Sequence, residues 1–206
     1  MSPRPYRMDK RQAATDETRA RIVTAARDLL ATEAGPTGFS VDAIAREAGV
    51  ARMTIYYQFG AKAGLLDALY DSLASRGGME HLGAAFQRPD PLAALAEFIA
   101  AFGRFWASDR LVLRRLGALS ELDPDIAHGN RDRNEWRRHG LRVIVGRIAE
   151  QYGRPAPDAI DTDVDILHML SSFATFDNLA GPNRDPVEVT PLVQRLALAS
   201  LGLPAG

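Results

Sequence analysis

The chain has no cysteine among its 206 residues, which excludes disulfides and thiolate-bound zinc and gives no sign of an oxidising compartment. Lysine is confined to Lys10 and Lys62, so nearly all positive charge is arginine. No run is long and apolar enough to span a bilayer, and no membrane partner is expected. The first residues carry Arg4, Arg7, Lys10 and Arg11 with no apolar core after them, so they do not read as a signal peptide, and a cytoplasmic location is expected. There is no nucleophile elbow, no phosphate-binding glycine loop and no HExxH pattern. No catalytic residue, no cofactor and no enzymatic activity are therefore expected. Nowhere does the sequence show the strict alternation of a half-buried strand.

What is present is helical periodicity from end to end, in a length that suits a small domain joined to a larger one. The net charge of −1 conceals an asymmetry: up to Lys62 the chain carries +3, and beyond it −4. A small basic head on an acidic body has that distribution. Ile22, Ala25, Ala26, Leu29 and Leu30 form one face of a first helix expected to start at Thr15. Gly35 and Pro36 break it. Ser40 then stands at an N-cap position, with Phe39 and Ile44 placed for a hydrophobic staple. Later stretches predict helices from Pro91 to about Trp106, near Leu111–Ser120, over Pro124–Tyr152, over Asp158–Ala180 and from Pro186 to about Leu201. The Asp158–Ala180 segment is apolar on two faces and needs cover on both.

The informative stretch is Phe39 to Lys62, FSVDAIAREAGVARMTIYYQFGAK. It has the proportions of a helix-turn-helix: a short helix, a turn containing Gly49, and a second short helix from about Arg52 to Phe59. Ala45 is small enough for a steep helix crossing, and Gly49 can take the positive φ of the turn. Ile44, Ala48, Val50 and Ile55 supply the core between the two helices. The second helix can then lie in a major groove. Arg52 can pair with guanine, and Met53 or the Thr54 methyl can meet a thymine methyl.

The run VARMTIYYQFGAK, with GFSVDAIAREAGV before it, resembles the DNA-binding signature of the TetR family of transcriptional regulators over roughly Thr15 to Leu73. The resemblance implies an all-α fold, with an N-terminal three-helix helix-turn-helix domain and a larger C-terminal helical domain for ligand binding and dimerisation. It places a flexible basic arm at 1–14, the DNA-binding domain at 15–76 and the effector and dimer domain at 77–206. It implies that Arg52, Met53 and Thr54 face bases, that Ser40, Tyr56, Gln58 and Lys62 hold phosphates, and that Tyr57 combines packing with backbone contact. The implied partners are a palindromic double-stranded DNA operator, an unidentified small-molecule effector and a second copy of the chain, paired through the last two long helices. The implied action is repression relieved by the effector. Three positions depart from the pattern: Ala51 and Ala61 lack a capping side chain, and Gln58 stands where histidine is common.

Phe102, Trp106, His139, His168 and Phe173 are the candidates to line an effector pocket, against the alternative that aromatics at helical spacing are simply core. Glu135 with His139, and Asp161 and Asp165 with His168, have spacings a divalent ion can use. Acids near a helix start are already accounted for by the helix dipole, so no metal site is expected. Two rival readings remain: a helical small-molecule-binding protein without DNA binding, and an enzyme that uses the C-terminal cavity.

Overall fold

Glycine, proline and capping side chains divide the chain into a succession of helices. The computed structural model describes residues 4–156 and 158–204, with side chains from residue 12 onward and without those of residues 124 and 125. Among the described residues every regular element is helical: α1 (Arg4–Ala31), α2 (Val41–Glu47), α3 (Arg52–Phe59), α4 (Lys62–Arg76), α5 (Gly83–Phe86), α6 (Pro91–Ser108), α7 (Arg110–Leu122), α8 (Pro124–Tyr152), α9 (Ile160–Leu170), α10 (Phe173–Ala180) and α11 (Thr190–Ser200). Short 3₁₀ turns lie at Gly35–Gly38, Met79–Leu82 and Pro186–Val189. The chain divides into two compact units, Met1–Ser72 with Arg115–Ile126, and Leu73–Arg114 with Ala127–Gly206.

The first unit is built on the apolar stripe of α1, where Ile22, Ala26 and Leu30 are buried and α2 packs against the helix. Ile44, Ile55, Leu65, Leu69 and Leu116 complete its core, each such side chain contributing about 1.5–3 kcal/mol by leaving water. α1 ends where its last carbonyls run out of intrahelical donors. Arg115 of α7 supplies them, donating to the carbonyls of Leu30 and Thr32. At the other end, α1 begins at Arg4 and not at Thr15. No glycine or proline interrupts the run from Tyr6 to Ala34, and Pro5 falls in the first turn, where its missing N–H costs nothing. The stretch expected as a flexible arm thus has helical backbone from Arg4, while the side chains of Arg4, Arg7, Lys10 and Arg11 lie outside the described residues.

The second unit centres on α6, whose Leu95, Phe98, Ile99 and Phe102 are buried and which packs against α5, α10, α11 and two of the 3₁₀ turns. α8 brings Leu141, Ile144, Val145 and Ile148 to the same interior. It runs unbroken through three glycines. At Gly140 an added Cβ would stand 3.0 Å from Phe86 and 3.1 Å from Phe98, so the missing side chain is the space these rings fill. The segment 158–180 is two helices, not the single one its periodicity suggests. Ser172 turns extended and its side chain accepts from the Thr175 N–H at 3.2 Å, which caps α10 and redirects the chain. The break lets two apolar faces find separate cover: Val164 and Leu167 on α9, Phe176 and Ala180 on α10. Before α11, Asp185 and Glu188 close a reciprocal capping box around the Pro186–Val189 turn.

Candidate nucleic-acid interface

The local chemistry of residues 39–60 builds the helix pair. Ser40 is extended and its Oγ accepts from the Ala43 N–H at 3.2 Å, capping α2, while Phe39 and Ile44 on either side are buried. α2 closes with Gly49 at φ +65°, and the Val50 N–H returns to the Ala45 carbonyl at 2.9 Å. Ala51 is extended but offers no side-chain cap, so the first N–H groups of α3 keep no side-chain partner there. Ile55, fully buried, seats α3 on the core, and Gly60 ends it by returning its N–H to Tyr56 at 2.8 Å.

With Ile55 turned inward, the opposite side of α3 is presented to solvent. Met53 is 71% exposed and Tyr57 86% exposed, a large apolar area that nothing in its own unit covers. Arg52 is exposed between them and is held: it donates to the Asp42 carboxylate at 3.0 Å and to the Tyr56 hydroxyl at 3.2 Å. Tyr56 and Asp42 together push this guanidinium further toward its charged form. Thr54, Tyr56 and Gln58 are half-buried, and Ser40 is exposed with a hydroxyl that can still donate while it caps α2. Arg19 of α1 donates to the Gln58 carbonyl at 2.8 Å and stacks over Phe59 at 4.3 Å, which pins the end of α3. Lys62 is half-buried and its Nζ pairs with Asp123 at 2.8 Å, so the cation expected on phosphate already has a carboxylate partner. Asp42, Arg19 and Asp123 are functional neighbours that reading the sequence missed, because their contacts join separate helices.

The candidate pocket residues fall in the second unit, and four of the five come together around a residue not singled out before. Phe102 and Trp106 of α6 lie 5.7 Å apart, and Trp106 meets Phe173 edge-on at 5.7 Å. The Trp106 indole donates to the Ser171 carbonyl at 3.0 Å. Beneath these rings sits Arg137, only 5% exposed, with its guanidinium carbon 5.5 Å from the Phe102 ring and 5.9 Å from Trp106. One Nη lies 2.9 Å from His168 Nε2 and donates to Asn134 Oδ1 at 3.1 Å. Burial, then the charges of Arg137 and Arg138, hold His168 down to about 4, so the ring is neutral at ordinary pH. His139, by contrast, is exposed on α8 and joins none of these contacts. Asp161 and Asp165 pair with Arg142 and Arg138.

Comparison with known proteins bears on the first unit most directly. Residues 22–69 match the family model described as bacterial regulatory proteins, tetR family. The fold is similar to that of a TetR transcription regulator from Haloarcula marismortui, at 16% identity and TM-score 0.69 over 91% of this chain and 97% of that one. It is also similar to the TetR family transcriptional regulator PfmR from Thermus thermophilus, at 21% identity and TM-score 0.64 over 90% of this chain and 100% of that one. NalD, the secondary repressor of the MexAB-OprM multidrug efflux pump in Pseudomonas aeruginosa, is similar at 19% identity and TM-score 0.64 over 91% and 97%. Among curated proteins, none matches the chain.

Proposed function

We propose that this chain, whose residues 22–69 match the tetR family model, is a DNA-binding transcriptional regulator of that family and acts as a homodimeric repressor, released from a palindromic operator by a small molecule. The observation that carries this is the solvent face of α3, where Arg52, Met53 and Tyr57 stand exposed on a helix anchored by Ile55. A globular surface gains nothing from leaving that much apolar area in water unless a partner covers it. In this reading Arg52, Met53 and Thr54 meet base edges, and Ser40, Tyr56, Gln58 and Lys62 hold phosphates. Tyr57 lies against the backbone. Lys62 reaches phosphate by exchanging Asp123 for it, and the basic stretch 4–11 adds further phosphate contacts. The head extends over 15–76 and the effector and dimer domain over 77–206. Met169, Val187 and Leu196, exposed large apolar residues between α9 and α11, support dimerisation through the last helices. Two heads about 34 Å apart then read one half-site each.

Release requires an effector that prefers the conformation whose heads are misplaced, since equal affinity for both shifts nothing. α7 supports such coupling: its Arg110 and Arg114 grip Asp177 in the second unit, while Arg115 grips the end of α1 in the first. The protein works without catalysis, in the cytoplasm. The test is a salt-dependent titration of DNA flanking its own gene, comparing the native chain with a Tyr56→Ala/Lys62→Ala variant. Tight, site-specific, salt-sensitive binding that the variant loses supports the proposal. Binding to no site, even at low salt and from a randomised pool, overturns it.

A further inference from the structure

Arg137 is the least explained charge in the second unit. It lies in register with Leu141, Ile144 and Ile148, the buried stripe of α8, at a position where an apolar side chain would be ordinary. A guanidinium taken out of water normally faces a carboxylate. Here every partner is neutral: the Asn134 amide oxygen, the Ser171 carbonyl at 3.4 Å and the imidazole of His168. The Nε–H is buried with no hydrogen-bond partner at all. The acids on α9 do not serve it: Asp165 is taken by Arg138 and Asp161 by Arg142, and Asp163, though buried, forms no ion pair with it. Burial, and the neighbouring charge of Arg138, bring its pKa down to about 10, which still leaves it charged.

A charge held in this way lacks a counter-ion and leaves one donor, the Nε–H, unmet. A carboxylate supplies both, taking the Nε–H and, in place of the neutral Asn134 or His168 acceptor, an Nη–H side-on. The walls set the rest of the ligand: Phe102 and Trp106 lie against the guanidinium, and Phe173 closes on Trp106. Asn134, His168 and Phe173, at the edge of this cluster, are half-buried and so partly in contact with solvent. We propose that Arg137 is the anion-binding residue of the effector site and that the effector is an aromatic carboxylate, its ring against Phe102, Trp106 and Phe173 and its carboxylate on Arg137. With His168 neutral, the positive charge that meets the ligand is that of the guanidinium. The effector's existence rests on the function proposed above; the anion site itself rests on Arg137.

The test is calorimetric titration of the DNA-free, full-length protein with benzoate, phenylacetate and cinnamate, each beside its uncharged amide. At least one carboxylate should bind, and its amide should bind about tenfold to a hundredfold more weakly, the usual worth of a charge-assisted bond. Arg137→Met should fold, because it removes a buried charge at similar volume, and should lose the preference for carboxylate over amide. Should it not fold, the native comparison of acid with amide still decides. Absence of binding by all three carboxylates at millimolar concentration, equal binding of an acid and its amide, or a preference retained in Arg137→Met would each overturn the proposal. Operator binding is measured separately with the same compounds. A carboxylate that binds without releasing DNA upholds the anion site and refutes effector-driven release.

Discussion

The pH dependence of stability offers a sharp test of the buried cluster around His168. In the folded chain His168 is held down to about 4 against an ordinary 6.5, by burial first and by the Arg137 and Arg138 charges next. Between those two values the unfolded chain binds a proton that the folded chain refuses, so stability rises with pH across the window and is lost as the pH falls through it. A fully buried group shifted this far would account for about 3 kcal/mol. The ring is half-buried and water screens it, so about 1–2 kcal/mol is the expected loss. Urea denaturation at about pH 7 and about pH 5, for the native chain and for His168→Gln, reads the effect directly. Glutamine keeps a polar partner for Arg137 but does not titrate, so the variant should lose about 1 kcal/mol of the native pH dependence. Parallel curves for the two proteins would show that His168 takes its proton freely in the folded state, and the reasoning about its neighbours would fail.

Asp177 governs a lower window: burial pushes its carboxyl up, but Arg114 and Arg110 outweigh this and hold it below its ordinary 3.8, so its stabilisation is lost only as the pH falls below that value. Asp177→Ala should cost about 2–4 kcal/mol by urea denaturation, towards the lower figure because Arg110 keeps the carbonyls of Asp177, Gly181 and Arg184 as partners. Arg52→Ala should weaken operator binding about tenfold to a hundredfold and relax the sequence requirement at one base pair. A loss equal for all sequences, with a flatter salt dependence, would make it a phosphate contact instead. Ala51→Ser should supply the missing cap on α3 and raise stability by about 0.5–1 kcal/mol with operator affinity retained, which thermal unfolding and the same DNA titration can check together.

Much of the head was legible in the sequence because its determinants are local. The Ser40 cap, the Gly49 turn and the buried set of Ile44, Ala48 and Ile55 all act within the sixteen residues 40–55, and each appears in the structure as its pattern implies. The same locality shows which side of α3 faces solvent, once Ile55 is assigned inward. Periodicity misled only where a cap could interrupt it. Over 158–180 the apolar rhythm continues through Ser171 and Ser172, yet the Ser172 side chain captures the Thr175 N–H and starts a new helix.

The sequence by itself determined an all-α chain, the helix-turn-helix and the identity of the residues it exposes, since helix period, capping and turn chemistry are short-range properties. Tertiary structure alone decided who meets whom across the chain: Lys62 with Asp123, Arg52 with Asp42, and Arg137 with Phe102, Trp106 and His168. Arg137 lies in a basic stretch whose composition is that of a solvated surface, although its register with Leu141 and Ile144 points inward. Only packing, which decides the side of α8 that loses water, turned that arginine from a surface charge into a buried one that lacks an anion.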